Sequence, residues 1–259
     1  MTFPVTPIQS RDNSFVKELR KLSQDSTAYR KQGRVWLEGD HLCRAALARG
    51  LRPAVAVFAE SFWPQVPAEW ASAAGKVVVL ADALFADVSG LESPARMGYL
   101  LEWQSGLEPM PGQATVVLDR VQDAGNVGSI LRSAAAFGFT QVLALKGTAA
   151  LWSQKVLRAG MGAHFGLHLV EGADASALEA LQVPLIVTSS HQGKLIQHTD
   201  LPWPCAWAMG HEGQGVGPSV EALAALQVRI GQPGGEESLN VAAAAAICLH
   251  ASALAAAEQ

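Results

Sequence analysis

The 259-residue sequence has three cysteines, two tyrosines and no uninterrupted apolar run of about 18 residues. Each shortage removes a class of protein. Cys43, Cys205 and Cys248 are odd in number and far apart, which argues against a disulfide framework or a zinc knuckle; they read as reduced, mostly buried thiols. Without a long apolar run there is no spanning helix to place. The opening stretch MTFPVTPIQSRDNSF also lacks the charged-then-apolar pattern of a signal peptide. A cytoplasmic protein without a membrane partner is expected. Gly-Lys-Ser/Thr is missing, so a P-loop nucleotidase is excluded. His164 and His168 are four residues apart but have no carboxylate at ligand spacing, and no metal is expected. His191, His198 and His250 form no visible constellation.

What is present is a core-forming composition, 49% hydrophobic against 16% charged. The net charge of −4 hides an asymmetry: residues 1–52 carry ten Lys/Arg against five Asp/Glu, and the rest carries nine against eighteen. A basic front on an acidic body fits a polyanion-docking surface, and it equally fits a solvated helix face.

Helix and strand signals alternate through the first hundred residues. Asn13–Leu22 reads as a helix capped by Asn13 or Ser14, and Val35–Gly39 as a strand. Asp40 is expected to cap a helix that Gly50 closes. PAVAVF, KVVVLA and MGYLLEW are further strands. These make a small α/β domain over residues 1–104. Residues 105–113, within the Pro/Gly-containing stretch QSGLEPMPGQ, read as a linker. Residues 114–259 alternate more regularly. Strands are expected at 115–121, 141–147, 164–171, 184–190, 205–210 and 227–232, with helices between and a long Ala-rich helix over about 239–257. Continuous apolar strands separated by helices indicate an α/β fold, a mostly parallel sheet covered on both faces. Ligands in such folds sit beyond the carboxyl ends of the strands.

Three loops at strand ends carry the chemistry. In AGNVGSILRSAAAFGF, Ala124–Phe139, a helical wheel puts Val127, Ile130, Leu131, Ala134 and Phe137 on one face and Gly128, Ser129 and Arg132 on the other. Arg132 is therefore outside the core, either in a surface ion pair or beside something that the glycines let approach. In GHEGQGVGPS, four glycines within eight residues expose backbone N–H groups, which suits a ligand cradle. Their spacing misses G-x-G-x-x-G, which disfavours a nucleotide-dependent oxidoreductase. In RIGQPGGEESLNVAAAAAICLHA, a strand runs into a Gly/Pro loop, Ser238 is the expected N-cap, and Asn240 falls in the first helical turn.

Together and in this order the loops resemble the three signature motifs of the SpoU-type (TrmH-like) RNA ribose 2′-O-methyltransferases of the SPOUT superfamily. Asn126, Gly128, Ile130 and Arg132 match N-x-G-x-I-x-R. Gly210, Glu212, Gly213 and Gly215 match G-x-E-G-x-G, and Ser238, Leu239, Asn240, Val241 and Ala244 match S-L-N-V-x-x-A. SRDNSFVKELRKL and VWLEGDHLCRAAL resemble the family's N-terminal substrate-binding domain. His211, the IGQPGG stretch and Gly160 depart from the usual pattern.

The resemblance implies a C-terminal trefoil knot, a homodimer with the active site at its interface, and S-adenosylmethionine as cofactor. It implies methyl transfer to a ribose 2′-hydroxyl in structured RNA, ribosomal in preference to transfer RNA. A non-catalytic knotted RNA-binding protein is the alternative. Arg132 would stabilise the forming alkoxide, with Asn126, Ser238 and Asn240 orienting it and the ribose. Glu212 would hold the arginine or a loop across the site. Gly210, His211, Gly213, Gly215, Ile230, Gln232, Leu239 and Asn240 would bind the cofactor.

Overall fold

The computed structural model describes residues 4–91, 93–189, 193–234 and 238–257. His191 and part of the third loop, 235–237, lie outside them. In chain order the strands are β1 (Val5–Ile8), β2 (Arg34–Glu38), β3 (Val55–Ala59), β4 (Lys76–Leu80), β5 (Met97–Glu102), β6 (Thr115–Leu118), β7 (Gln141–Leu145), β8 (His168–Ala173), β9 (Leu185–Thr188), β10 (Lys194–Leu195), β11 (Ala206–Met209) and β12 (Leu226–Arg229). The helices are α1 (Ser14–Gln24), α2 (Ala28–Gln32), α3 (Asp40–Ala48), α4 (Ala68–Ser72), α5 (Asp82–Val88), α6 (Ala124–Ala136), α7 (Gln154–Gly160), α8 (Pro218–Glu221) and α9 (Val241–Ala257). None of the described helices is long and apolar enough to cross a membrane.

The chain divides into two compact units. One holds the residues up to Ser105 together with Trp152–Phe165; the other holds Gly106–Leu151 and the residues from Gly166 onward. The first is built on a five-stranded sheet of order β1-β4-β3-β5-β2, parallel through β1, β4 and β3 and antiparallel at β5 and β2. Asn13 caps α1, its side chain accepting from the Phe15 N–H at 2.9 Å. Asp40 is the first residue of α3 rather than its cap, because Gly39 at φ 92° makes the turn. Gly50, at φ 75°, closes that helix. Helix α7 joins this unit through its first residue, whose Gln154 Nε2 donates to the Trp36 carbonyl at 2.8 Å.

The second unit is a seven-stranded sheet, all parallel, of order β10-β12-β9-β11-β6-β7-β8. Register sorts its side chains. Val117, Leu143, Val187, Ala206 and Ala208 enter a buried cluster with Leu178, Leu181 and Val220. Trp207 points to the opposite face, where its Nε1 donates to Ser252 Oγ on α9 at 2.8 Å. Helices α6 and α9 pack on each other there. Gly128 belongs to the buried face of α6, although the wheel put it outward. The expected strand over 164–171 begins only at His168; Ala163–Gly166 is a 3-10 turn. His164 falls in the first unit and His168 in the second.

Because all seven strands run the same way, the carboxyl ends of β6, β9, β11 and β12 share one edge. The chain builds outward from β6 through β7 to β8 and then returns to lay β11 and β9 on the other side of β6. Strand order reverses there, the place where open parallel sheets hold ligands.

Candidate active site

The loops leaving that edge enclose a cleft of about 660 Å³. Val187, Thr188 and Ser189 from the end of β9, the Gly210–Val216 loop after β11, Glu221, and Ile230, Gln232 and Ser238–Val241 after β12 line it, with Ala244. Gly210, His211, Gly213, Gly215, Ile230, Gln232, Leu239 and Asn240 are therefore brought together, and Glu212 and Ser238 with them.

The glycine loop is drawn tight. His211 N–H donates to the Gly215 carbonyl at 3.0 Å, and Gly215 N–H returns to the His211 carbonyl at 2.8 Å. His211 Nδ1 accepts from the Gly213 N–H at 3.0 Å. A Cβ on Gly210 would stand 2.1 Å from the Gly215 carbonyl carbon, so glycine is required where the loop folds back.

Three side chains tie the loops together. Glu212 Oε2 accepts from the Gln122 N–H at 3.2 Å, and its Oε1 from the Asp123 N–H at 3.1 Å and from Asn126 Nδ2 at 3.2 Å. Asn126 Oδ1 accepts from Asn240 Nδ2 at 3.0 Å, and Asn240 Oδ1 from the Ala242 and Ala243 N–H groups at 2.9 and 3.2 Å. A carboxylate only accepts and a helix N-terminus only donates, so both amides of the chain have their orientation fixed. Asp123 caps α6, accepting from the Asn126 N–H at 2.7 Å. Glu212 therefore holds a loop, one of its two expected roles, and its bonds go to that loop rather than to Arg132. The capping expectation is corrected: Asn240, not Ser238, is the N-cap of α9, which starts at Val241. Ser238 is exposed in the loop before it.

Burial pushes the Glu212 carboxyl up, but the N–H groups of Asp123 and Gln122 and the Asn126 amide outweigh it, leaving it below the ordinary 4.5. A depressed carboxylate contributes its tie fully above the ordinary value and loses it as the pH falls through the lowered one. Following the Gln122 and Asp123 amide signals by NMR during acid titration should give a midpoint below 4.5. A midpoint at or above 4.5 would mean that the tie is not made.

Arg132 stands apart. It is exposed on α6, on a stripe with Gly125, Ser129 and Ala136, has no side-chain hydrogen bond or ion pair among the described residues, and does not line the cleft of its own chain. Asn126 reaches the cleft through Glu212 and Asn240. Two residues that sequence reasoning missed, Asp119 and Arg120, sit at the end of β6. Asp119 is buried and accepts from the Gly217 N–H at 2.6 Å, and Arg120 bonds to it and to the glycine loop. An Asp-Arg pair directly after a strand was the available signal.

Residues 113–250, more than half of the chain, match the SpoU rRNA Methylase family. The chain belongs to that family. Residues 13–97 of this SpoU methylase match the MRM3-like substrate binding domain. An uncharacterized tRNA/rRNA methyltransferase of Synechocystis is 32% identical to the SpoU methylase over 275 residues, 96% of this chain and 94% of that protein. A 23S rRNA guanosine 2′-O-methyltransferase of Bacillus subtilis is 28% identical over 94% of this chain and 97% of its own. Among solved structures, an AdoMet-bound rRNA methyltransferase from Sinorhizobium meliloti superposes with a TM-score of 0.82 at 26% identity, covering 96% of this chain and 97% of that one.

Proposed function

We propose that this SpoU methylase transfers a methyl group from S-adenosylmethionine to a ribose 2′-hydroxyl of structured RNA, with ribosomal RNA as its substrate class. The observation that carries the reading is the linkage of all three motif loops, Asn126 to Glu212 and Asn126 to Asn240, around one cleft. Family membership and the relatives' names supply the reaction.

The cleft suits the methyl donor on two counts. Gln232 lines it with a buried Oε1 that has no hydrogen-bond partner among the described residues, an acceptor left for a ligand donor such as an adenine amino group. Gly210 and its neighbours turn bare backbone into the cleft. S-adenosylmethionine supplies an electrophilic methyl on a sulfonium. What remains for the protein is to stabilise a ribose oxygen as it becomes anionic. Arg132 is our candidate: its guanidinium acts by charge rather than as the base, and the hydroxyl proton leaves to an RNA phosphate or to water.

In this reading Arg132 serves the cleft of a second copy. Support comes from its exposure and from the neighbouring face of α9. There Ala243, Ile247, His250, Leu254 and Ala257 recur at helical spacing, with Ile247 41% and Leu254 55% exposed. The same reading threads the closing segment through a trefoil knot and assigns RNA docking to the first unit, with its basic residues 1–52 meeting the phosphates.

The test supplies labelled S-adenosylmethionine to the protein with ribosomal RNA, or with transfer RNA, from a strain lacking the gene. Label resistant to alkaline cleavage at one ribosomal ribose is expected, with RNA affinity falling as salt rises. Label on transfer RNA alone would replace the substrate class. Binding of RNA without transfer would leave the non-catalytic alternative.

A further inference from the structure

We propose that Arg120 is a positioning residue: with Asp119 it clamps the Gly210–Gly217 loop in its ligand-ready shape, so that affinity for the methyl donor depends on it and turnover does not. The identity of the ligand rests on the reading above; the clamp itself does not.

Arg120 has φ 58°, in the left-handed region that a side chain rarely adopts. Its backbone is held there by the loop after β7. Arg120 N–H donates to Thr148 Oγ1 at 3.1 Å, and that hydroxyl donates to the Leu118 carbonyl at 2.9 Å. With the backbone so turned, the guanidinium meets both oxygens of the preceding residue. Nε donates to Asp119 Oδ1 at 2.9 Å and Nη2 to Oδ2 at 3.2 Å. The same fork then reaches the cleft loop, Nη1 to Gln214 Oε1 at 3.0 Å and Nη2 to the Gly215 carbonyl at 3.5 Å. Asp119 Oδ2 takes the Gly217 N–H at 2.6 Å.

Charge gives the pair its strength. Asp119 is 3% exposed, and a carboxylate so buried needs a cation or several donors. Arg120 supplies the cation, and the loop's own N–H supplies a donor. Glu212 secures the first part of the loop to Gln122 and Asp123, while Arg120 and Asp119 secure Gln214, Gly215 and Gly217. Gln214, Gly215 and Val216 line the cleft. A loop held at both ends before the ligand arrives avoids the ordering cost of binding.

Gly217 leaves the guanidinium room. A Cβ on Gly217 would lie 2.8 Å from Arg120 Nη2 and 3.1 Å from Asp119 Oδ2. Gly217 itself has φ −74° and ψ 153°, which alanine adopts freely. Gly217→Ala therefore disturbs the clamp without straining its own backbone. Gly147 leaves 3.1 Å to Arg120 Cγ from the other side.

The experiment compares wild type with Arg120→Met, Arg120→Lys, Gly217→Ala and the Arg120→Met/Gly217→Ala double variant. It reads hydrogen exchange of residues 210–217 in ligand-free protein, melting temperature, and KM for S-adenosylmethionine separately from kcat. Arg120→Met and Gly217→Ala should each speed exchange in this loop and raise KM by roughly tenfold or more, with kcat at saturation within about threefold. Lysine, lacking the planar fork, should rescue little. The double variant should be no worse than either single one, since both remove the same clamp. Unchanged loop exchange in Arg120→Met overturns the proposal. So does a fall in kcat at constant KM, or, in Gly217→Ala, where Asp119 keeps its cation, faster exchange spread over the whole unit instead of this loop. If the wild type binds no S-adenosylmethionine, the methyltransferase reading fails, and loop exchange alone still decides the clamp.

Discussion

Arg132→Ala is expected to slow methyl transfer by roughly 10²–10³-fold while leaving S-adenosylmethionine affinity at the wild-type level. The separation of the two effects follows from where the residue sits. The cleft is formed without it, and its side chain has no partner among the described residues whose loss would loosen a loop. Its expected contribution is confined to the moment when the ribose oxygen gains charge, so it belongs to the rate and not to cofactor binding. Single-turnover transfer to RNA, run beside calorimetric titration of the cofactor, separates them. Mixing Arg132→Ala with Gly210→Ala adds a further check. If the arginine serves the partner's cleft, a mixed dimer recovers one complete site and part of the activity. Full turnover by Arg132→Ala alone would remove the arginine from the mechanism.

The second large effect is expected at Gly210. An alanine Cβ there would lie 2.1 Å from the Gly215 carbonyl carbon, 2.2 Å from the Val216 nitrogen and 2.5 Å from the Gly215 oxygen. These are backbone atoms, pinned by the two bonds between His211 and Gly215, so no rotamer change relieves the clash. The loop must open, and Gly210→Ala should weaken S-adenosylmethionine binding by about 100-fold or more, the equivalent of roughly 2.8 kcal/mol. Gly213→Ala is the control in the same loop: its Cβ would meet nothing nearer than 3.8 Å, and its effect should be far smaller. Equal losses in the two variants would show that the loop tolerates no side chain anywhere, rather than failing at one close approach.

Much of this architecture was legible because parallel strands buried on both faces leave a plain signature. TVVL, QVLAL, LIVT and AWAM are continuous apolar runs, and each became a strand of the second sheet. Strand β10 was not legible, since two residues, Lys194 and Leu195, carry no period. Strand β1 was hidden by Pro7 and by its mostly exposed side chains, both consistent with a sheet edge. At the site, local propensity misassigned one helix cap. Ser238 and Asn240 are both good caps in isolation. The choice between them is made by Asn126, 114 residues away, which holds the Asn240 amide so that its oxygen faces the helix. Gly128 was misplaced for a similar reason: a wheel records one helix, and the burial of α6 depends on how α9 lies against it. Arg120 was missed because its reach requires a backbone conformation that nothing in the sequence announces for an arginine.

The order of strands at one margin of the second sheet also constrains when this fold can be completed. Lys194 and Leu195 pair with Val228 and Arg229, made more than thirty residues later, and β10 has no other neighbour in the sheet among the described residues. A growing polypeptide therefore emerges with β10 waiting for its ladder with β12, and β9 with that side still open. The outer half of the ligand edge closes only when β12 fills the gap between β9 and β10. Such late, non-local pairing makes for slow maturation. Until β12 and the loop after it have been made, the cleft in which a methyl donor would sit lacks Ile230, Gln232 and Ser238–Val241 from its lining.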